Sequence, residues 1–448
     1  MEKDKIARIK PRTLDGFRDY LPKTMIPRER LIETARRVYR SYGFAPIDTP
    51  ALEHLEILIG KGSGETDKQL YKFDHGNNKI GMRFDLTVPL ARFVAQHINE
   101  LGTPFKRYHV ATVWRGERPQ KGRYREFMQC DFDTIGTLAM SADIETALVI
   151  HELFQALGFD DFKIRINNRM VLNGLLDRLE LADRSTSILR SLDKLGKIGA
   201  DKVVAELMEF ALLSTEQATE VVKLASIEGS NEDVLRQLAP LVAGSPRGEE
   251  GVAKLEELVK TVTAVGVPES RLQIDVSIAR GLDYYTGTIY ETFLGKLPSI
   301  GSVCSGGRYD NLAGLYTSQQ LPGIGASLGL DRLLAAMEEL GMLEKVATPA
   351  EVFMAYSSKE RFVEGLQLAS SLRAVGIGVE VYPDDRKSVG KQFQYAEERG
   401  CLVGIMVSDK DEDRVEVRTL ATKDSWNWSK AMPIESLIDE VKSRLATR

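Results

Sequence analysis

The sequence predicts an α+β chain, and three observations carry that prediction. Two apolar runs, Val110 to Trp114 and Phe127 to Phe132, flank an arginine-rich loop and predict an antiparallel hairpin. From about residue 170 to 262 the chain is rich in Leu, Ala, Glu, Lys and Arg at helical period, with few strand signals. From Glu351 onward, strand and helix patterns alternate at the spacing of a small α/β domain.

Taken in order, the first element is a helix over Ile26 to Tyr42, stopped by Gly43 and followed by the extended Ala45-Pro-Ile-Asp-Thr-Pro50. A glycine-rich loop, Gly60 to Gly64, precedes the hairpin, and a helix over Ser141 to Leu157 follows it. Lys202 to Leu213 and Val252 to Val262 typify the helical middle. Strand character resumes over Leu272 to Ile278. Gly323-Ile-Gly-Ala-Ser-Leu-Gly329 then leads into a helical run, Leu333 to Leu340. A connector, Gly341 to Pro349, precedes strand Glu351–Tyr356, helix Arg361–Val375, strand Gly378–Tyr382, helix Val389–Arg399 and strand Leu402–Val407. A chain of 448 residues suggests two or three domains.

Composition narrows the class. Apolar and charged fractions of 43% and 28% are those of an ordinary globular protein. No apolar run is long enough for a membrane span, and the start MEKDKIARIKPR lacks the apolar core of a secretion signal. Cys130, Cys304 and Cys401 are isolated, which suits a reducing cytoplasm and argues against a thiolate zinc site. None of the five histidines shows ligand spacing. The net charge of −5 does not itself suggest a nucleic-acid partner, but the first 37 residues carry eleven basic and six acidic groups.

Chemistry concentrates in three segments. Lys106 to Arg125 holds seven basic residues against one acid, Glu117, a density that predicts an anion beside the hairpin. Gln129 and Asp133, four residues apart on a strand, share one face. Arg280-Gly-Leu-Asp-Tyr-Tyr-Thr-Gly287 places an arginine fork and two tyrosines beside glycines at a strand end. Gly323, Gly325 and Gly329 precede Asp331 and Arg332 at a strand-to-helix junction. No GxGxxG opens a βαβ unit and no GxxxxGK[ST] occurs, so a nucleotide needs another mode of binding.

Together these segments resemble class II aminoacyl-tRNA synthetases. The arginine hairpin is similar to their motif 2, and the glycine-rich strand into Asp331-Arg332 to their motif 3. RGLDYYTG and Ser305-Gly-Gly-Arg-Tyr-Asp310 resemble the two signature peptides of the histidyl-tRNA synthetase family. Resemblance begins at Lys10-Pro-Arg-Thr-Leu-Asp-Gly-Phe-Arg-Asp19 and runs over nearly the whole chain. It implies an antiparallel catalytic sheet flanked by helices in two parts, 1–168 and 266–342. A helical insertion, 169–265, and an anticodon-binding domain, 349–448, complete the expected order.

The implied reaction joins histidine to tRNA(His) through an adenylate, with ATP as substrate, Mg²⁺ as cofactor and a cytoplasmic homodimer as the working form. Arg115 and Arg280 are implied on either side of the α-phosphate. Glu117, Arg123, Phe127 and Arg332 are implied around adenine and the outer phosphates. The resemblance places Asp85 and Thr87 at the histidine ammonium, Gln129 and Asp133 beside them, and Tyr284 and Tyr285 around the imidazole. Asp stands at 85 and 133, where some members carry Glu. Lys391 and Gln392, opening a helix of the last domain, are candidates for the anticodon.

Overall fold

The computed structural model describes residues 9–59, 64–192, 194–278, 284–344, 346–384 and 386–446. The glycine-rich loop around Gly60 to Ser63 and the first half of RGLDYYTG, including Arg280, lie outside the described residues. The described chain forms two compact units. One joins the residues up to Arg18 with Leu31–Met342, and the other joins Asp19–Arg30 with the chain from Leu343 onward.

The first unit is organised by an eight-stranded sheet. Its strands are β1 (Ala45–Pro46), β2 (Phe105–Trp114), β3 (Glu126–Ile135), β4 (Phe162–Asn168), β5 (Leu272–Ile274), β6 (Thr288–Leu294), β7 (Cys304–Tyr309) and β8 (Gly323–Gly329). They lie in the order β1-β2-β3-β8-β7-β6-β4-β5. The six central strands are antiparallel, and only the edge pairs β1·β2 and β4·β5 run parallel. The predicted hairpin is present, with both strands running longer than their apolar runs alone indicate.

The strand predicted over Leu272 to Ile278 ends at Ile274. Asp275 is the reason: its carboxylate accepts from the Ser277 amide at 3.0 Å, a side-chain turn that competes with the ladder. The Asn167 side chain then takes up the freed Val276 and Ile278 carbonyls.

One sheet face packs on helices. Tyr39 of α1 (Pro22–Ser41) stacks on Phe132, centroids 5.0 Å apart, and its hydroxyl donates to the Cys130 carbonyl at 2.9 Å. α2 (Thr87–Leu101) follows the small sheet formed by Leu52–His54, Lys72–His75 and Asn78–Met82. α3 (Met140–Ala156) lies behind the centre of the large sheet, where Arg308 of β7 pairs with its buried Asp143. The Arg308 guanidinium also donates to the Thr137 carbonyl at 2.9 Å, and Tyr290 donates to the Asp143 carbonyl at 2.8 Å. Arg308, the cationic residue of the SGGRYD peptide, is thereby a bolt between sheet and helix.

Between β4 and β5 the chain is helical, as its composition predicts, ending in Pro246–Ala264. α4 (Leu330–Glu339) continues directly from β8.

The second unit contains β9 (Val352–Tyr356), β10 (Val379–Val381), β11 (Val403–Val407), β12 (Arg414–Thr419) and β13 (Ser425–Ser429), in the order β10-β9-β11-β12-β13. Helices α5 (Lys359–Ala374), α6 (Val389–Arg399) and α7 (Ile434–Ala446) accompany it. The three parallel strands match the predicted alternation. The antiparallel pair β12–β13 extends the sheet beyond that pattern. Gln392 is buried, with its amide clamped on both backbone groups of Tyr356, so it belongs to the fold and not to a recognition surface, whereas Lys391 is exposed.

Removing one partner of a buried ion pair leaves the other charge unpaired, so Asp143→Ala should lower stability by about 3–5 kcal/mol. The midpoint of urea unfolding measures this, and a midpoint within error of wild type refutes the bolt.

Candidate functional site

The face opposite α1 and α3 is built from two rungs that cross four strands. One runs Arg107–Asp133–Gly325–Gly307, and the other His109–Asp131–Ser327–Ser305. Strand alternation puts all these side chains, with Phe127 and Gln129, on one side of the sheet. β8 supplies only small residues here, and space is the reason. A β-carbon on Gly325 would collide with the Asp133 carboxylate and the Phe132 carbonyl.

A cleft opens at the end of β3. Its walls include Arg115, Glu117, Arg123, Phe127, Gln129 and Arg332, with Ser305 and Ser327 at its floor. Five residues expected at the nucleotide therefore line one cavity, although they come from a loop, a strand and a helix. Arg115 lies between two rings, its guanidinium carbon 4.3 Å from the centroid of Phe84 and 5.1 Å from that of Phe127. Its Nε donates to the Phe84 carbonyl at 3.1 Å. Stacking and this one bond fix the fork while leaving its Nη atoms for an anion.

Arg332 is held by its backbone neighbour. Asp331 accepts from the Met128 amide at 2.8 Å and pairs with Arg18 at 3.0 Å, which pins the start of α4 against β3. Gly122 (φ +69) lets the hairpin loop approach this helix: a β-carbon there would sit 3.3 Å from the Arg332 Cα. Burial and the nearby Arg123 draw the Arg332 guanidinium down to about 10. Clustered cations without enough counter-charge favour an incoming polyanion.

The high arginine count of the hairpin overstates that attraction. Arg107, Lys106, Lys121 and Arg125 pair with Asp133, Glu145, Glu339 and Asp15. Arg123 faces Glu117 at 3.8 Å, so among the described residues Arg115 and Arg332 are the cleft-wall cations with no salt bridge to a carboxylate.

The residues expected at the amino acid gather beside the same sheet face. Asp133 is buried; its Oδ1 accepts from the Tyr309 hydroxyl at 2.5 Å and its Oδ2 pairs with Arg107 at 2.6 Å. Asp85 is also buried, and its Oδ1 accepts the Val88 amide at 2.9 Å and the Thr87 amide at 3.2 Å, so it caps α2. Its Oδ2 lies 3.5 Å from the Tyr284 hydroxyl. Tyr284 packs edge-on to Tyr285 at 5.2 Å and to Tyr309 at 5.8 Å. Burial raises both Asp85 and Asp133 above the usual carboxylate range, while Arg115 and Arg107 respectively hold them down.

Sequence reasoning missed Asp131, Arg107, Tyr309 and Ser327. The parity that joins Gln129 to Asp133 also includes Asp131, which sits between them. It is buried, and desolvation drives its carboxyl up to about 7, against the pull of Arg107. His109 opposite is drawn down to about 4 by burial and then by Arg107, so it stays neutral. Ser327 appears in the sequence only as a small residue in a packing motif.

A family model described as Histidyl-tRNA synthetase matches residues 16–333, and one described as Anticodon binding domain matches residues 352–444. A histidine–tRNA ligase of Rhodopirellula baltica is 60% identical over 420 residues, covering 93% of this chain and 95% of that protein. One from Clostridium tetani is 42% identical, covering 97% and 99%. A crystal structure of histidyl-tRNA synthetase from Nostoc sp. superposes with a TM-score of 0.87 at 36% identity, covering 98% of this chain and all of that one.

A carboxyl whose pKa is raised by burial stabilises the fold below its unfolded pKa, and that stability is lost as pH rises through the folded value. Asp131→Asn removes this titration and leaves Arg107 with Asp133. The variant should melt a few degrees higher than wild type above about pH 7, with the gain vanishing toward pH 4. Thermal scans across that range decide it, and a constant difference at all pH values refutes it.

Proposed function

The chain belongs to the histidyl-tRNA synthetase family, and on that premise we propose how its residues divide the family's reaction. The enzyme is a histidine–tRNA ligase that uses ATP and attaches histidine to tRNA(His). The observation that supports the division of roles is the convergence of Arg115, Glu117, Arg123, Phe127 and Arg332 on one cleft whose inner wall is Gln129. That cleft adjoins a cluster of buried carboxylates and tyrosines suited to a cationic amine and a polar ring.

In this reading the first step is in-line attack of the histidine carboxylate on the α-phosphate of ATP. The C–O–P bond forms, the bond to the pyrophosphate leaving group breaks, and pyrophosphate departs. Both reactants are anionic, so they approach only where positive charge offsets their repulsion. Arg115, stacked and pre-oriented, bridges the carboxylate and the α-phosphate. Arg280 acts on the opposite side by family resemblance. Phe127 stacks on adenine, Glu117 and Arg123 contact the base and outer phosphates, and Arg332 meets the γ-phosphate. Asp85 and Thr87 hold the ammonium, Gln129 and Asp133 extend that part of the pocket, and Tyr284 and Tyr285 enclose the imidazole.

Among the described residues no group of three or more acidic or thiol or imidazole ligands gathers for a metal. By family resemblance the phosphates would be the principal ligands of Mg²⁺, with the cleft carboxylate Glu117 as a protein donor; bound there, the ion would neutralise phosphate charge. The second step passes the histidyl group to a ribose hydroxyl of the tRNA, releasing AMP. We assign 1–168 and 266–342 to the catalytic domain, 169–265 to the insertion and 349–448 to anticodon binding, in a cytoplasmic homodimer. The described helices include none long and apolar enough to cross a membrane.

The test is ATP–pyrophosphate exchange with each of the twenty amino acids and magnesium. Exchange with histidine alone is expected, and exchange driven equally by another amino acid refutes the pocket assignment. Arg115→Ala or Arg280→Ala should slow adenylate formation by roughly 10²–10³, the scale of one lost transition-state donor. Pre-steady-state formation near the wild-type rate removes that role. Asp133→Ala should raise the KM for histidine far more than that for ATP, and equal rises place Asp133 elsewhere.

A further inference from the structure

Three side chains on neighbouring strands, Gln129, Ser327 and Asp131, stand in line on one sheet face. The Gln129 amide nitrogen donates to the Ser327 hydroxyl oxygen at 2.7 Å. Ser327 is the direct cross-strand partner of Asp131, and its hydroxyl holds down the pKa of that carboxylate. The other end of the amide, Gln129 Oε1, is buried and has no hydrogen-bond partner among the described residues, and the same holds for Asp131 Oδ1.

The direction of this chain is dictated by proton count. A serine hydroxyl has one proton. When Asp131 is ionised its carboxylate can take that proton, and Ser327 then only accepts from residue 129. Gln129 must then turn its NH₂ toward Ser327 and leave its oxygen as the free group. Without the acceptor at 131, the Ser327 proton is available to Gln129 Oε1, and the amide can reverse. A reversed amide presents N–H donors, which repel an ammonium.

We propose that Asp131 is a positioning residue for substrate binding: acting through Ser327, it holds the Gln129 amide with its oxygen toward the amino acid's ammonium. This rests on the assignment of Gln129 to the amino-acid pocket. Asp131 need not touch the substrate. Its place in the second rung, between neutral His109 and Ser327, sets it against the strands on both sides. Arg107 supplies the counter-charge that lets a carboxylate stay buried there.

The experiment measures the KM for histidine and for ATP in pyrophosphate exchange with the full chain. Asp131→Leu removes the acceptor at similar volume, and Ser327→Ala breaks the relay while leaving the Arg107 cluster intact. Each should raise the histidine KM about tenfold, the loss of one oriented bond to a charged group, with the ATP KM within about twofold. Asp131→Asn retains an oxygen acceptor and should stay within about threefold of wild type, which separates positioning from simple charge attraction. In a Gln129→Met background, adding Asp131→Leu should change nothing further.

An Asp131→Leu effect that persists undiminished in that background overturns the proposal, as does a Ser327→Ala variant that melts like wild type and keeps the wild-type histidine KM. Wild-type protein that shows no histidine-dependent exchange overturns the assignment of the pocket itself, and the relay with it.

Discussion

A guanidinium with no exposure to solvent governs the working face of the large sheet. Arg107 lies on β2 beneath two buried carboxylates, paired with Asp133 at 2.6 Å and close enough to Asp131 to lower its pKa. Two unscreened acids on one strand face would otherwise repel each other and take up protons. With Arg107 between strands and the Asp131 carboxyl raised to about 7, the local charge is at most one negative unit, and an incoming ammonium can supply the remaining positive charge. The site is therefore better satisfied with a cationic ligand than without one. That is a physical reason for expecting an amine here, independent of any resemblance.

The charge distribution also has a direction. Cations with few internal partners, Arg115 and Arg332, lie where the hairpin meets α4. Carboxylates with incomplete neutralisation, Asp85, Asp131 and Asp133, lie inward. Arg115 stands between, near enough to Asp85 to depress its pKa. An amino acid placed across this gradient puts its ammonium inward and its carboxylate toward the arginine. The orientation needed for attack on a phosphate thus follows from electrostatics before any contact to the side chain is made. In the proposed reading the side chain meets Tyr284 and Tyr285, whose rings pack edge to face and leave little freedom to adapt.

Much of this was legible in the chain. The hairpin, the helical middle and the alternating last domain follow from apolar period, and the cleft residues from the resemblance of the hairpin and the glycine-rich strand to family motifs. Three things were not. The strand after Leu272 stops early because Asp275 bonds Ser277, a competition between side chain and backbone that apolar alternation does not register. The basic density of the hairpin misleads because its partners, Glu145 and Glu339, lie on helices distant in sequence. Arg107, Tyr309 and Ser327 gain meaning only through register, since the residues opposite them on neighbouring strands are fixed by pairing. Asp131 is the exception: its parity was available, and a strand face was read at two positions where three carried polar groups.

That face raises the question of why residue 129 is an amide when 131 and 133 are acids. Alternate residues on a strand lie about 7 Å apart, where two like charges repel by about 2 kcal/mol at an effective dielectric near 20. Arg107 pairs directly with Asp133 and also lowers Asp131, but a third acid at 129 would sit farther from it, opposite Ala111. It would hold a proton and turn a hydroxyl, not a lone pair, toward the cleft. An amide avoids that cost and still offers an oxygen, but unlike a carboxylate it has a wrong orientation as well as a right one. Something must choose between them, and the hydroxyl of Ser327, committed to Asp131, is placed to do so. The neutral residue and the buried acid beside it are then one solution: the amide supplies the acceptor without charge, and the acid fixes which way it faces.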